Sequence, residues 1–286
     1  MKVAAGIVLF NPDLKRLEEN VCAVKSQVDE IIFFDNGSKN IKEIRKVINK
    51  IDTEVTLLIS PKNIGIAQAL NEIARHAIRK GYKWLLTLDQ DSVIYPNLIF
   101  HYKEKLNLPH VGQISCKLVD RNIKEDYKFS NDCSIKEVKY CITSGTIVNL
   151  EALIQVNGFD GQLFIDWVDN ELCCALRKEG YKTYELNYKG LLQEMGNATF
   201  KKIFGKKVYS PNYSAFRYYY NARNSIYTAR KYPNEENVFV KVLQQFKVQV
   251  HIIGFEDDKL KKVASIAKGI YKGFLLDKNH DRGLYE

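Results

Sequence analysis

Apolar positions in the first ninety residues fall into two alternating rhythms. Val3–Leu9 is a short continuous apolar run and reads as a strand, closed by the turn residues Asn11-Pro12-Asp13. Leu14, Leu17, Val21 and Val24, continued by Val28, follow a helical spacing and predict a helix over Leu14–Gln27. Glu30–Phe34 is a second strand, ending in the turn chemistry of Asp35-Asn36-Gly37-Ser38. The isoleucines at 41, 44, 48 and 51 predict a helix over Ile41–Ile51, and Thr53–Ile59 a third strand. Ala67, Leu70, Ile73, Ala74 and Ile78 line one side of a helix over Gly65–Lys80 that Gly81 stops. Trp84–Leu88 is then a buried strand. Such alternation predicts an α/β fold, a mainly parallel doubly wound sheet with right-handed crossovers.

Beyond Pro96 the rhythm loosens. Asn97–Leu106 reads as a helix, Val111–Val119 and Tyr140–Leu150 as strands, and 120–139 as polar and irregular. Glu171–Lys178 is helical, with a strand near Thr183–Asn187 after Gly180. From Ala215 onward helices are expected over Arg217–Lys231, Asn237–Gly254 and Lys259–Leu276. This divides the chain into an α/β domain, 1–212, and a helical C-terminal extension, 213–286.

Composition bounds the class. The 286 residues are 45% hydrophobic and 27% charged, enough for a sizeable core. No apolar run approaches the roughly eighteen residues of a membrane span, and the N-terminus runs into a first strand rather than a cleaved signal, so a cytoplasmic location is expected. The six cysteines are scattered without a Cys-x-x-Cys pair and read as reduced thiols; the five histidines form no cluster. Charge is uneven: residues 1–200 hold 26 cations and 26 anions, whereas 201–286 hold 17 and 8. A neutral body with a basic end suits an anionic partner, a diphosphate or a membrane surface. No nucleic-acid-binding motif accompanies the charge. The place of a Gly-x-Gly-x-x-Gly after the first strand is taken by Phe10-Asn11-Pro12-Asp13, which argues against a dinucleotide-dependent oxidoreductase.

The strongest chemical signal is Asp89-Gln90-Asp91, two acids at the carboxyl end of a buried strand. Open α/β sheets bind ligands at that edge. Carboxylates there suit a hard divalent cation that bridges to substrate phosphates. Both reach one ion only if the chain turns after the strand.

The ordered set of motifs resembles family 2 glycosyltransferases of the GT-A fold, and most closely their rhamnosyltransferase branch. It comprises Val8–Pro12, Asp35–Ser38, Asn63-Ile64-Gly65, Leu88–Ser92, Thr143-Ser144-Gly145, Gly158-Phe159-Asp160, Phe164–Glu171 and Tyr219–Asn224, nearly the whole chain. The resemblance implies a nucleotide-sugar site. Phe10, Asn11 and Pro12 would border the nucleotide pocket, Asp35 would accept from the imide N–H of uracil or thymine, and Asn36 would help bend the chain around the base. Asn63 and Gly65 would open the helix beside ribose and diphosphate, although an Asn there is equally an ordinary cap. Asp89 would contact ribose or the metal's water, with Gln90 beside it, and Asp91 would bind Mg²⁺ or Mn²⁺. Ser144, Gly145 and Trp167 would line the acceptor or sugar side; close packing of small residues explains Thr143-Ser144-Gly145 as well. Asp169 would be the catalytic base, with Asp166 in reserve and Glu171 bracing. Arg223 and Asn224 would face donor phosphates or acceptor, unless they belong to an ordinary amphipathic helix.

The implied activity is inverting, metal-dependent transfer of a sugar, L-rhamnose from dTDP-β-L-rhamnose, to a hydroxyl of a bacterial surface polysaccharide precursor, free or lipid-linked. The implied partners are a dTDP- or UDP-sugar, a glycan acceptor and an anionic membrane at the cytoplasmic face, with no nucleic acid; an oligomer is compatible. A UDP-hexose transferase and a non-catalytic sugar-nucleotide-binding protein are the alternatives. One departure stands out: many relatives carry a histidine before a late glycine, whereas this chain has Gln193-Glu194-Met195-Gly196.

Overall fold

The computed structural model describes residues 1–122, 132–194, 199–203, 206–210 and 212–285. The expectation for 123–131 and the Met195-Gly196 stretch lie outside these residues. By internal connectivity the chain forms two compact units. The first comprises Met1–Gln162, Val168–Glu194 and Asp281–Glu286, the second Leu163–Trp167 and Met195–His280.

The first unit opens as the apolar rhythm predicts: β1 (Val3–Leu9), α1 (Leu14–Val24), β2 (Glu30–Asn36), α2 (Ile41–Ile48), β3 (Glu54–Ser60), α3 (Ile66–Arg79) and β4 (Trp84–Asp89). Asp13 starts α1 by accepting from the Arg16 amide at 3.0 Å. Every residue of β1 is buried, as a central parallel strand covered on both faces requires. Val3, Ala5, Ile7 and Leu9 join Leu17 and Val21 of α1 and Ile44 of α2 in one core. The opposite face meets α3: a Cβ at Gly6 would stand 2.5 Å from Ile73 Cγ2, so the bare backbone sets the approach of that helix.

After β4 come β5 (Val93–Ile94), α4 (Leu98–Lys103), β6 (Val111–Asp120), β7 (Ile135–Glu137), β8 (Thr146–Asn149), α5 (Leu150–Gln155), α6 (Val168–Lys178) and β9 (Lys182–Gln193). The sheet order is β3-β2-β1-β4-β8-β6-β9-β5, with β7 on β9. The first four of these strands run parallel, as do β6 and β9, while β8, β5 and β7 pair antiparallel. Three expectations need correction. The strand expected over Tyr140–Leu150 is only Thr146–Asn149: pairing with β4 begins at Thr146, and at the other end the Asn149 side chain accepts from the amides of Glu151 and Ala152 and starts α5. Residues 135–137, expected irregular, pair with β9. The strand expected near 183–187 is twelve residues long and reaches Gln193.

The second unit contains a hairpin, β10 (Thr199–Ile203) and β11 (Lys206–Ser210), followed by α7 (Ala215–Lys231), α8 (Val238–Phe255) and α9 (Lys259–Leu275). Helices α7 and α9 approach closely through small residues. A Cβ at Gly269 would lie 2.4 Å from the Tyr219 carbonyl oxygen, and one at Gly273 2.5 Å from that of Arg223. Tyr218, Ala222, Ile252 and Ile266 form the core. Beside it the buried Glu256 carboxylate accepts from Tyr218 Oη at 2.7 Å, Ser210 Oγ at 2.8 Å and Lys262 Nζ at 2.9 Å. No described helix is long and apolar enough to cross a membrane.

Candidate active site

The carboxyl ends of β1, β2 and β4 carry most of the expected site residues of the first unit, and their side chains knit the strand ends together. The Phe10 amide donates to Gln90 Oε1 at 2.8 Å, and Gln90 Nε2 returns to the Phe10 carbonyl at 3.4 Å, joining the ends of β1 and β4. Asn11, at φ 47°, gives its amide to Ser38 Oγ and receives the Lys39 amide at its Oδ1, both at 2.9 Å. The Pro12 carbonyl accepts from Asn40 Nδ2 at 3.1 Å. The first strand's turn is thus fastened to the second strand's turn.

Asp35 and Asn36 lie within β2, not in the turn after it. Asp35 is 1% exposed; its Oδ2 accepts the Ser38 amide at 3.2 Å, and its Oδ1 is buried without a partner. A buried carboxylate oxygen with nothing to accept is costly unless a ligand donor completes it. Asn36 is committed to the chain itself. Its Oδ1 takes the Ile64 amide at 2.8 Å, and its Nδ2 donates to Asn63 Oδ1 at 3.1 Å and the Gly65 carbonyl at 3.3 Å. Asn63 in turn accepts from the Gly65 amide at 2.9 Å. Gly65 (φ 88°) is the N-cap of α3, and no side chain caps that helix. Gly37 (φ 83°) lets the two loops touch, since a Cβ there would meet the Lys62 carbonyl carbon at 2.8 Å.

At the end of β4, the Asp89 amide donates to Ser144 Oγ at 3.0 Å, and Ser144 Oγ donates to Ser92 Oγ at 2.9 Å. Asp89 Oδ2 accepts from Gln193 Nε2 at 2.6 Å, whereas Gln193 Oε1 is buried and lacks a partner. The Glu194 carboxylate pairs with Arg16 at 3.6 Å. Asp91, half-buried, makes no hydrogen bond or ion pair among the described residues. Gly145, at φ 74°, donates its amide to the Thr87 carbonyl at 2.8 Å. Asn20 was not singled out from sequence. It is 1% exposed on α1, and its Nδ2 donates to the carbonyls of Asp89 at 2.8 Å and Ser92 at 2.7 Å. It therefore holds the turn that the two acids need. Polar residues on a helix usually read as solvent-facing, which hid Asn20.

No three His, Cys, Asp or Glu side chains gather into a metal cluster among the described residues. The oxygen chemistry of Asp89, unclaimed Asp91 and the orphaned Gln193 Oε1 nevertheless fits a hard divalent cation, which completes its shell with water and phosphate oxygens.

Asp169 stands in the first turn of α6, accepting from the Asn170 amide at 2.8 Å. With Thr87, Gln113, Cys141 and Thr143 it lines a small pocket. Behind it, Glu171 is fully buried and paired with Arg282, whose Nε donates to the Gly158 carbonyl at 2.8 Å. Residues near the end of the chain thereby clasp the Gly158-Phe159-Asp160 turn. Asn71 Nδ2 donates to the carbonyls of Phe159 at 2.9 Å and Arg282 at 3.2 Å, and Arg75 reaches that of Gly283 at 2.7 Å.

The remaining expected residues lie in the second unit. Asp166 and Trp167 are consecutive left-handed residues, at φ 62° and 67°. Asn224, fully buried, holds them by donating Nδ2 to the carbonyls of Ile165 at 2.8 Å and Asp166 at 2.9 Å. Asp166 Oδ1 accepts from Arg217 Nε at 3.1 Å. Burial pushes the Asp166 carboxyl above its usual range, and the Arg217 guanidinium offsets part of that rise. Arg223 donates to Asn224 Oδ1 at 2.8 Å and stacks over the Tyr220 ring at 4.6 Å. Trp167 lies under Lys241, 4.7 Å away.

The profile of glycosyl transferase family 2 matches residues 5–164, which include most of β1, β2 through β8 and the turns at the strand ends. The chain belongs to that family. A dTDP-rhamnosyl transferase of Shigella flexneri, RfbF, is 27% identical over 244 residues, 80% of each chain. Among solved structures, S. aureus TarS 1-349 in complex with UDP-GlcNAc superposes with a TM-score of 0.56 at 14% identity, covering 98% of this chain and 74% of the other. The mannosyltransferase PcManGT of Pyrobaculum calidifontis, solved with GDP-Man and Mn²⁺, gives 0.58 at 15%, covering 96% and 76%. The fold is that of GT-A glycosyltransferases, and the chain is a family 2 glycosyltransferase similar to that rhamnosyl transferase.

Proposed function

We propose that this glycosyltransferase moves L-rhamnose from dTDP-β-L-rhamnose, with inversion, onto a hydroxyl of a lipid-linked bacterial surface polysaccharide precursor. The similarity to RfbF carries the choice of donor, and the unpartnered buried oxygen of Asp35 supports a pyrimidine base. Thymine and uracil both present an imide N–H, so Asp35 recognises the pyrimidine and not the sugar. Residues 1–212 handle donor and chemistry in this reading, and 213–286 form the extension.

The acceptor hydroxyl oxygen attacks the anomeric carbon on the face opposite the diphosphate. The new C–O bond forms as the bond to dTDP breaks, which turns a β-linked donor into an α-linked product. Asp169 takes the hydroxyl proton. Asp166 is the weaker candidate for this role, since its carboxylate is already held by Arg217. Asp89 and Asp91 would hold Mg²⁺ or Mn²⁺. The cation, when bound, supplies positive charge against the departing diphosphate. Asn20 and Ser144 fix the chain around Asp89 so that its position is set before the donor arrives. Contact with an anionic membrane at the cytoplasmic face would bring the enzyme to a lipid-linked acceptor.

A panel of dTDP- and UDP-sugars, with Mn²⁺ or EDTA, tests the reading through release of nucleoside diphosphate in the presence of acceptor. Turnover is expected with dTDP-rhamnose and metal. Asp169→Asn should lose about 10²–10⁴-fold in turnover while still binding dTDP. Equal turnover by Asp169→Asn would refute the base assignment, and turnover confined to a UDP-hexose would refute the donor.

A further inference from the structure

Helix α8 turns its polar side inward. Gln245, Gln249 and Ile252 are buried, while Phe239, Leu243, Phe246, Val250 and Ile253 are exposed, Val250 at 70% and Phe239 at 69%. Steps of four, three, four and three residues put those five on one stripe along the helix. The helix is pinned in this orientation. Gln245 Nε2 donates to Ser225 Oγ at 3.2 Å and Gln249 Nε2 to the Val263 carbonyl at 3.4 Å, so rolling the stripe inward would break both bonds. Its neighbour α9 exposes Leu260, Tyr271 and Leu275 among exposed Lys261, Lys268 and Lys272. Lys247 of α8 is exposed beside the stripe.

An apolar stripe of this kind is covered by a second protein surface or by lipid, and charge favours lipid. Residues 195–280 hold 16 Lys+Arg against 6 Asp+Glu, so two copies meeting here would crowd like charges, whereas anionic headgroups neutralise them. A large apolar face edged by lysines is the composition of a helix that lies in a membrane interface. We propose that α8 docks the protein on an anionic phospholipid bilayer. The Phe239–Ile253 stripe enters the headgroup boundary, and the exposed Lys247, Lys261, Lys268 and Lys272 meet the phosphates. This rests on the membrane contact in the reading above, and on none of its catalytic assignments, and names the surface that makes it.

The test is co-sedimentation of the full chain with phosphatidylglycerol-containing vesicles and with pure phosphatidylcholine vesicles. Wild type is compared with Phe246→Ser/Val250→Ser, with Phe239→Ser/Leu243→Ser as a second pair should the first misfold, and with Lys261→Gln/Lys268→Gln/Lys272→Gln. Circular dichroism confirms that each variant is folded. Wild type should bind the anionic vesicles selectively. Each serine pair should weaken partitioning at least about tenfold, and the glutamine variant should remove the preference for anionic lipid. No binding by wild type would end the membrane reading altogether. Equal binding by wild type and a serine pair would leave that reading standing and refute this surface. A wild-type dimer that a serine pair makes monomeric, with vesicle binding unchanged, would assign the stripe to a second copy and overturn the proposal.

Discussion

Replacing Arg282 by Ala should be among the most damaging single changes far from any strand end. Arg282 is 9% exposed and its guanidinium faces the fully buried Glu171 carboxylate, while Nε also serves the Gly158 carbonyl. Removing the cation takes from the buried Glu171 carboxylate the guanidinium that pairs with it. Breaking a buried pair from one side in this way costs about 3–5 kcal/mol. For a unit of this size each kcal/mol moves the thermal midpoint by about 2–4 °C, so a fall of about 6–20 °C is expected. Calorimetry and urea titration would measure it, with Arg282→Met/Glu171→Leu as the control. That double change removes both charges and should recover most of the loss, since an apolar pair of similar volume needs no compensation. A single variant within about 1 kcal/mol of wild type would refute the buried-charge argument. So would a double variant no better than the single one.

Asp91→Asn should weaken Mn²⁺ binding, read by titration calorimetry, and lower kcat about 10²–10³-fold; unchanged Mn²⁺ affinity would remove Asp91 from the cation's shell. Asp35→Ala should leave the fold intact and weaken dTDP and UDP binding alike, by about 1–3 kcal/mol; a loss confined to one nucleotide would contradict recognition through the shared imide. Acid should loosen the second unit through Glu256. Burial alone would raise its carboxyl, but the hydrogen bonds from Lys262, Tyr218 and Ser210 outweigh it and hold the group below its usual 4.5. Its folded value lies below its unfolded one, so its contribution is present above about pH 4.5 and lost as pH falls through the folded value. A Glu256→Gln variant should start less stable at neutral pH and show a flatter acid limb in chemical denaturation; parallel limbs would rule this out.

The half of the sheet that sequence conveys best is its parallel half, for a physical reason. Strands covered on both faces become unbroken apolar runs, so β1, β2 and β4 could be read with their helices and the acids after β4 placed at an edge. The rest depended on partners distant in sequence. Residues 140–145 look like a strand by composition, yet only Thr146–Asn149 pairs with β4, and the Asn149 side chain caps the helix that follows. At the site, the types and order of residues were legible, but their allegiances were not. Asn36 and Asn224 match motifs expected to face a nucleotide sugar, yet both spend their amides on neighbouring backbone. Asn20 looked like one polar residue among many on α1 and turned out to hold the Asp89 turn.

Arg282 and the fully buried Leu284 belong to the first unit, although the whole of the second is encoded before them. On the ribosome, β1 through β9 emerge long before the guanidinium that pairs with Glu171, so this contact forms only after the intervening helices have been made. A circular permutant carrying this clasp ahead of β1 would let the first unit close during synthesis.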